Sequence, residues 1–256
     1  MLAEERQKRI YEILQENNAV STSALVKNFG VSIETVRRDL LDMEQKQLLR
    51  RVHGGAVRMT AEMKSFGYLS QRSQINVEKK IELSRTAAAF VSEGDFIGID
   101  EGSTAIYFAK VLKERFSKMT VVTHALDVFH TLHDYKNFTV ILCGGHFMAK
   151  ENAFYGPLTI NMYGQLHLQK AFIFPSAVSY EYGICDYQQE FYFVQKKMTE
   201  ITDSIYILAD STKYEKKALL KFDDMRPEYI YISDSALDDA AFEKYQEFNL
   251  KIFKGD

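Results

Sequence analysis

The sequence is poor in the residues that punctuate or cross-link a chain. Only 3 Pro and 13 Gly occur in 256 residues, which excludes collagen-like repeats and Pro/Gly-rich disorder. Its two cysteines, Cys143 and Cys185, lie far apart without a CxxC spacing. Neither a disulfide framework nor a zinc cluster is therefore encoded, and both thiols are expected to be reduced. Nowhere is there an apolar run of about 18 residues, the length that would span a bilayer. Residues 1–6 carry charges and helix formers where a signal peptide has an apolar core. A cytoplasmic location with no membrane partner is the expectation. What remains is 46% hydrophobic and 26% charged, the composition of one or two ordinary globular domains.

A net charge of −3 hides a division along the chain. Residues 1–60 hold 10 Lys and Arg against 8 Asp and Glu, so the excess positive charge is N-terminal and the remainder is acidic. From Gln45 to Thr60 the sequence carries Lys46, Arg50, Arg51, His53 and Arg58 with no carboxylate. Such a stripe suits phosphates, and it equally suits a solvated basic face.

Helical spacing organises this N-terminal segment. Ile10, Ile13 and Leu14 mark one helix, and Leu25, Val26 and Phe29 mark a second that begins after Ser21-Thr22-Ser23. Gly30 stops the second helix and Ser32 can cap a third, along which Ile33, Val36, Leu40 and Met43 form one buried stripe. The opposite face presents Glu34, Thr35, Arg37 and Arg38 near the helix N-terminus, where a recognition helix offers side chains to base edges. Arg38 is the leading candidate reader. The β-prone runs around Gly54-Gly55, from Leu48 to Val57, predict a hairpin with a flexible tip, which would serve as a wing. Periodicity alone also allows a small interaction bundle in which Glu34 and Arg38 are only a surface pair.

The motif string separates these readings. Residues 31–40, VSIETVRRDL, followed by residues 49–56, LRRVHGGA, resemble the winged helix of DeoR-family bacterial transcription regulators. One departure is Gln47, where the family usually places Gly to end the recognition helix; a left-handed cap there would cost a non-Gly residue roughly 1 kcal/mol. The resemblance implies operator double-stranded DNA as partner, with Ser32, Glu34, Thr35, Arg37, Arg38, Arg50, Arg51, His53 and Gly54 as contact residues.

The rest of the chain has a different rhythm. Residues 58–75 are polar and aperiodic, which predicts a linker between a winged helix-turn-helix domain over 1–57 and a larger α/β domain over 76–256. A helix is predicted from Val77 through Val91, ended by Gly94. Beyond it, apolar β-rich runs stand at Phe96–Asp100, Met119–Thr123, Phe138–Leu142, Lys170–Phe174, Ser204–Asp210, Glu228–Asp234 and Asn249–Phe253, mostly separated by helical stretches. Alternation of this kind predicts a parallel α/β sheet, whose strand ends collect ligand-binding loops. Asp100-Glu101-Gly102-Ser103-Thr104 follows one strand and opens a helix, where amides, hydroxyls and the helix dipole can receive an anion; an ordinary βα loop has the same pattern.

These loops also resemble the DeoR sensor domain, which is related in fold to sugar-phosphate isomerases such as ribose-5-phosphate isomerase. Residues 100–104 correspond to the family's Asp-x-Gly-Thr/Ser-Thr loop, Thr123 to its Thr-Asn step, Gly144-Gly145 to its Gly-Gly turn, and residues 210–213 to its Asp-Ser-Ser/Thr-Lys. The resemblance implies a regulator of carbohydrate metabolism genes, a repressor by expectation, controlled by a phosphorylated sugar or related metabolite. Asp100, Gly102, Ser103, Thr104, Thr123, His124, Gly144, Gly145, Asp210 and Lys213 would face that ligand.

Several positions depart from the family. Met148 stands where an Arg commonly follows the Gly-Gly turn, and His124 replaces the usual Asn. Residues 183–195 lack the usual Thr, Glu and Lys. The loss of an Arg would weaken a phosphate grip unless Lys150 or His146 substitutes. Met148, Tyr187 and Phe193 would suit a less charged or bulkier ligand.

Other constellations yield little. His130 and His133 share a helix face without a third ligand, so no metal is expected. Cys185 has no partnered His and reads as a small apolar filler. No cofactor is expected. The 18 Phe and 15 Tyr concentrate outside the first 60 residues and read as core and subunit contacts. A second functional class, a sugar-phosphate isomerase carrying a winged helix, lacks an assignable catalytic base. A DNA-binding reading also implies a symmetric homo-oligomer, because one module contacts one half-site.

Overall fold

The structure, a computed structural model, describes residues 3–17, 19–45, 48–52, 54–58 and 68–255, with the side chains of Glu4, Gln45, Arg50 and Val52 excepted. The expectations for Gln47 and His53 lie outside the described residues. The chain divides into two compact units, residues 1–67 and 68–256.

In the first unit, α1 (Ala3–Asn17), α2 (Thr22–Phe29) and α3 (Ile33–Gln45) precede a hairpin of β2 (Leu49–Val52) and β3 (Gly55–Arg58). Local chemistry sets the helix ends. Ser21 Oγ accepts the Ala24 amide at 3.1 Å at the start of α2, and Gly30, at φ 63°, closes it with a left-handed cap whose N–H reaches the Val26 carbonyl. Ser32 Oγ accepts the Thr35 amide at 3.2 Å and so caps α3. Ile10, Leu14, Leu25, Val36, Leu40, Met43, Leu49 and Ala56 form the core. Ile33, expected on the buried stripe, is instead 46% exposed: it is the first residue of α3 and lies beyond the reach of α1 and α2 packing.

A strand absent from the sequence reading, β1 (Ala19–Ser21), pairs antiparallel with β3 and completes a three-stranded sheet in the order β1-β3-β2. It explains the glycine pair. Gly54 takes φ 84° in the hairpin turn, while a Cβ at Gly55 would fall 2.1 Å from the Val20 carbonyl oxygen of β1.

The second unit is built on a seven-stranded parallel sheet: β4 (Phe96–Ile99), β5 (Met119–Thr123), β6 (Phe138–Leu142), β9 (Leu168–Ile173), β12 (Thr202–Leu208), β14 (Ile230–Ser233) and β15 (Lys251–Lys254). Their spatial order is β15-β14-β12-β9-β4-β5-β6. Each expected apolar run supplies one of these strands. Two buried clusters flank the sheet, one containing Phe108, Leu112, Val121 and Phe172, the other Tyr163, Ile173, Met198 and Tyr231.

Smaller elements are added at its edge. The hairpin β7 (His146–Met148) and β8 (Ala153–Tyr155) leads into α8 (Pro157–Tyr163), and β10 (Ala177–Ser179), β11 (Gly183–Asp186) and β13 (Leu220–Asp223) make a second antiparallel sheet. Residues 68–75, read from sequence as linker, belong to the second unit, where α4 (Leu69–Arg72) buries Leu69 and its amide bonds the Lys150 carbonyl at 3.0 Å. The helix α5 (Val77–Ala88) follows, and α6 (Ser103–Arg115), α7 (Leu126–Leu132), α9 (Tyr192–Glu200) and α10 (Asp239–Glu247) complete the layers. Among the described residues no helix is long and apolar enough to cross a membrane.

Candidate functional site

Two sites of opposite character emerge, one on each unit. On the first, α3 presents Ser32, Glu34, Arg37 and Arg38 as exposed side chains, with Thr35 half-buried beside them. The ion pair on this face joins Glu34 to Arg37 at 3.0 Å, not to Arg38. Arg51 on the wing is exposed, its amide bonded to Glu44 Oε1 at 2.8 Å. Gly54 is exposed at the hairpin tip.

What holds this face is buried. Asp39, inside the VRRD motif, is 4% exposed and forms a two-point ion pair with Arg6 of α1, one bond being Nη2 to Oδ1 at 3.0 Å. The carboxylate raises the Arg6 guanidinium further above its ordinary range, chiefly by hydrogen bonding. Gln7 donates to Asp42 at 2.8 Å one helical turn along. Sequence reasoning missed this clamp because its members lie 33 residues apart.

On the second unit, all seven strands are parallel, so the loops after β4, β5, β9 and β12 share one edge of the sheet. The order in which successive strands are added reverses between β4 and β9, the switch point at which open sheets hold ligands. Asp100 and Glu101 leave β4 there, fully buried. Gly102 adopts φ 132°, a backbone that favours glycine, and delivers Ser103 and Thr104 to the start of α6.

Asp100 is the hub. It accepts from Gln195 Nε2 at 3.0 Å, and its Oδ1 stands 3.4 Å from His124 Nε2. His124 Nδ1 lies 3.2 Å from the Tyr163 hydroxyl. Gln195 also donates to Asp186 at 3.3 Å, and Ser176 donates to the other oxygen of Asp186 at 2.7 Å. Burial pushes the Asp100 and Glu101 carboxyls upward, and pushes the His124 imidazole down to about 3, so that it is neutral.

Cations border this acidic group. The Lys213 ammonium donates to the Pro175 carbonyl at 2.9 Å and lies in the fields of Asp210, Asp186 and Glu101. Arg72 pairs with buried Glu151, which also accepts from Gln188 at 2.9 Å. Lys80 donates to the Arg72 and Ile75 carbonyls, and burial with Lys213 and Arg72 nearby lowers it to about 7.

Not every expected residue joins the cleft through its side chain. Asp210 turns inward and caps its own loop, accepting the Thr212 amide at 3.0 Å. Thr123 Oγ1 accepts the Ala125 amide at 3.1 Å. Gly145 admits Thr159, whose hydroxyl would sit 2.2 Å from a Cβ there and which donates to the Gly144 carbonyl. Phe193, expected beside the ligand, is 63% exposed at the start of α9; Gln195, two residues on, points inward.

The sequence reading overlooked Arg72, Lys80, Gln195 and Tyr163. For Lys80 a signal existed, because it shares the helical stripe of Leu83, Ser84 and Ala87 and is buried with them. Arg72 stands in an aperiodic polar stretch and offers none.

One property sets the cleft apart. Asp100 Oδ1, Glu101 Oε2, Thr104 Oγ1, His124 Nε2, Gln195 Oε1 and Arg72 Nε are buried without a hydrogen-bond partner. An unmade bond in such a place costs about 1–3 kcal/mol, so a group of them marks a place built for something polar. Among the described residues, no cluster of three or more His, Cys, Asp or Glu is placed to hold a metal ion.

Known proteins bear on both units. The model of the DeoR-like helix-turn-helix domain matches residues 6–62, and that of the DeoR C-terminal sensor domain matches residues 75–235. An uncharacterized HTH-type transcriptional regulator of Bacillus subtilis (strain 168) is 31% identical over 98% of this chain and 96% of its own. The L-fucose operon activator of Haemophilus influenzae is 32% identical over 94% of this chain and 96% of its own. Ribose 5-phosphate isomerase A from Neisseria gonorrhoeae, a solved structure, overlaps 53% of this chain and 52% of its own at 19% identity, with a TM-score of 0.40. The matched models and the full-length relatives are those of DNA-binding regulators and not of enzymes. The chain belongs to the DeoR family and is a DNA-binding transcriptional regulator with a small-molecule sensor domain.

Proposed function

We propose that α3 and the wing bind operator DNA and that a sugar-derived effector, held in the cleft around Asp100, changes that binding. Base edges are read by Arg38, with Ser32, Glu34, Thr35 and Arg37 beside it, and Arg50, Arg51, His53 and Gly54 follow the phosphates. The regulator works in the cytoplasm as a homo-oligomer, one winged helix to each half-site.

The observation that carries the effector reading is the group of buried polar atoms left unpartnered at the switch point. Most are acceptors or hydroxyls, which suits the many O–H donors of a sugar. The amides of α6 and the cations Lys213 and Arg72 suit an anionic group on the same molecule. Relatives point the same way: besides the L-fucose operon activator, one is the lactose phosphotransferase system repressor of Lactococcus lactis. With Met148 in place of a family Arg, the phosphate grip is weaker than in a typical member.

Thermal-shift screening with paired free sugars and sugar phosphates tests this. A compound at 100 times its dissociation constant stabilises the sensor by about 2.7 kcal/mol. The expected result is such a shift with at least one sugar-derived compound, lost in Gln195→Leu. No shift across pentoses, hexoses and their phosphates contradicts the effector reading.

A further inference from the structure

The outer face of α3 carries more than its arginines. Val36, Leu40 and Met43 are buried in the core of the first unit and Asp39 is buried against Arg6, which together fix the rotation of α3 about its axis. The side chains left outside are Ile33, Glu34, Arg37, Arg38 and Leu41. At about 100° per residue they fall on one arc of roughly 140°. The Ser32 and Thr35 hydroxyls lie 2.9 Å apart, and Ser32 Oγ also accepts the Thr35 amide, so both are engaged in the helix cap.

Two members of the arc do little for the fold. Ile33, 46% exposed, keeps an apolar surface in water at the N-terminal end of the helix. Glu34 places a carboxylate, 74% exposed, on the face that meets a polyanion. Its ion pair with Arg37 at 3.0 Å is exposed on both sides, and such pairs add little to stability. What the pair does is cancel the charge of the carboxylate, so that Glu34 can stand close to phosphates. The bond uses Oε1, and Oε2 remains an acceptor.

We propose that Ile33 and Glu34 are base readers, Ile33 packing on the methyl group of a thymine and Glu34 accepting from the amino group of a cytosine, an inference that rests on the reading of α3 as the operator-binding helix. Chemistry selects the bases. A carboxylate only accepts, and in the major groove guanine and thymine present acceptors that repel it, while the adenine amino group stands beside the N7 acceptor. Cytosine presents a donor with no acceptor beside it on its own edge. For an aliphatic side chain the groove offers one apolar group, the thymine methyl. Residues at the N-terminus of a recognition helix reach base edges, and Ile33 and Glu34 are the first two of α3.

Selection of duplexes from a random pool by the full-length protein, followed by affinity measurements on the enriched site, tests this. The wild type is expected to fix a cytosine and a thymine in each half-site. Glu34→Gln should change that cytosine to adenine in its own selection, because an amide matches adenine N6 and N7; a role in helix stability produces no such switch. Glu34→Ala should lose the preference, which is expected to be at least about 5-fold in the wild type. Deoxyuridine in place of the thymine removes only the methyl group. It should weaken the wild type about four-fold and leave Ile33→Ala unaffected. Both positions are exposed, and an unchanged melting curve shows that each variant is folded. Leu219→Ala, at a position 71% exposed in the sensor unit, should keep every preference.

Folded Glu34 variants that select the wild-type sequence, or that lose affinity equally on all sequences, overturn the role of Glu34. Deoxyuridine tolerated by the wild type at every thymine overturns that of Ile33. A wild type that enriches no sequence defeats the operator reading itself and this proposal with it, whereas unchanged preferences in the variants defeat this proposal alone.

Discussion

The two units handle polar groups in opposite ways. In the first, the buried charges Arg6 and Asp39 satisfy one another, and the cations Arg38 and Arg51, the latter 3.9 Å from Glu44, lie on the surface. In the second, carboxyls, an amide, an imidazole and a hydroxyl are buried with bonds left unmade. A long polyanion can only be met on an outer surface, where its phosphates keep their water and counterions until contact. A small ligand can be enclosed, and the cost of dry, unpartnered groups is recovered when it binds. The first unit is therefore complete as folded, and the second awaits a partner.

Breaking the clamp that completes the first unit should have the largest effect. Arg6→Ala leaves Asp39 buried without its partner and should destabilise the winged helix by about 1.5–3 kcal/mol, the worth of hydrogen bonds to a charged group. Hydrogen exchange of α1 and α3 amides reads this locally. The double replacement Arg6→Met with Asp39→Leu should restore most of the loss. If Arg6→Ala exchanges like wild type, the clamp is not what positions α3.

Arg38→Ala should cost about 1–3 kcal/mol on the cognate operator and relax preference at one base step. Titrations against a panel of singly substituted operators check both. A smaller, sequence-independent effect is expected for Arg51→Ala, with the slope of log affinity against log salt reduced by about one. Equal losses on all sequences for both variants would erase the distinction between reading and positioning.

The dry cleft makes a prediction about pH. Burial raises the Asp100 carboxyl in the folded state above its ordinary 3.8, so in that window the unfolded chain holds fewer protons than the folded one. This contribution to stability is present at low pH, declines as pH rises through the window, and is absent above it. Asp100→Asn removes the decline, so its ligand-free stability relative to wild type should grow between pH 4 and pH 8. His124, held neutral, works in the opposite sense in wild type and variant alike. Urea melts at the two pH values test the difference, and a flat difference would mean that Asp100 is not held in a dry site.

The comparison also explains what could be read in advance. The seven sheet strands were legible because each centres on a short apolar run, largely buried in the five inner strands and half-exposed in the edge strands β6 and β15, and the helix signals Gly30 and Ser32 because each acts within four residues. The strands β1, β7 and β10 were not, since three residues carry no periodicity. The exposed face of α3 was legible as one contiguous motif. The cleft was legible only at its loops: Arg72, Lys80, Tyr163 and Gln195 come from four separate elements, and only folding places them around Asp100 and Lys213. Expectations for Phe193 and Ile33 failed for the same reason, because spacing places a residue on an element without saying what packs over it.

The central claim is that DNA binding and ligand response reside in separate units. Operator affinity of wild type, Arg38→Ala and Lys213→Ala, each measured alone and with the compound that gives the largest thermal shift, tests it most directly. The account predicts that Lys213→Ala binds bare operator like wild type yet no longer responds to the compound, whereas Arg38→Ala binds operator weakly and retains the full thermal shift. A Lys213→Ala protein that still responds at the same concentration, or an Arg38→Ala protein that no longer shifts, would contradict it.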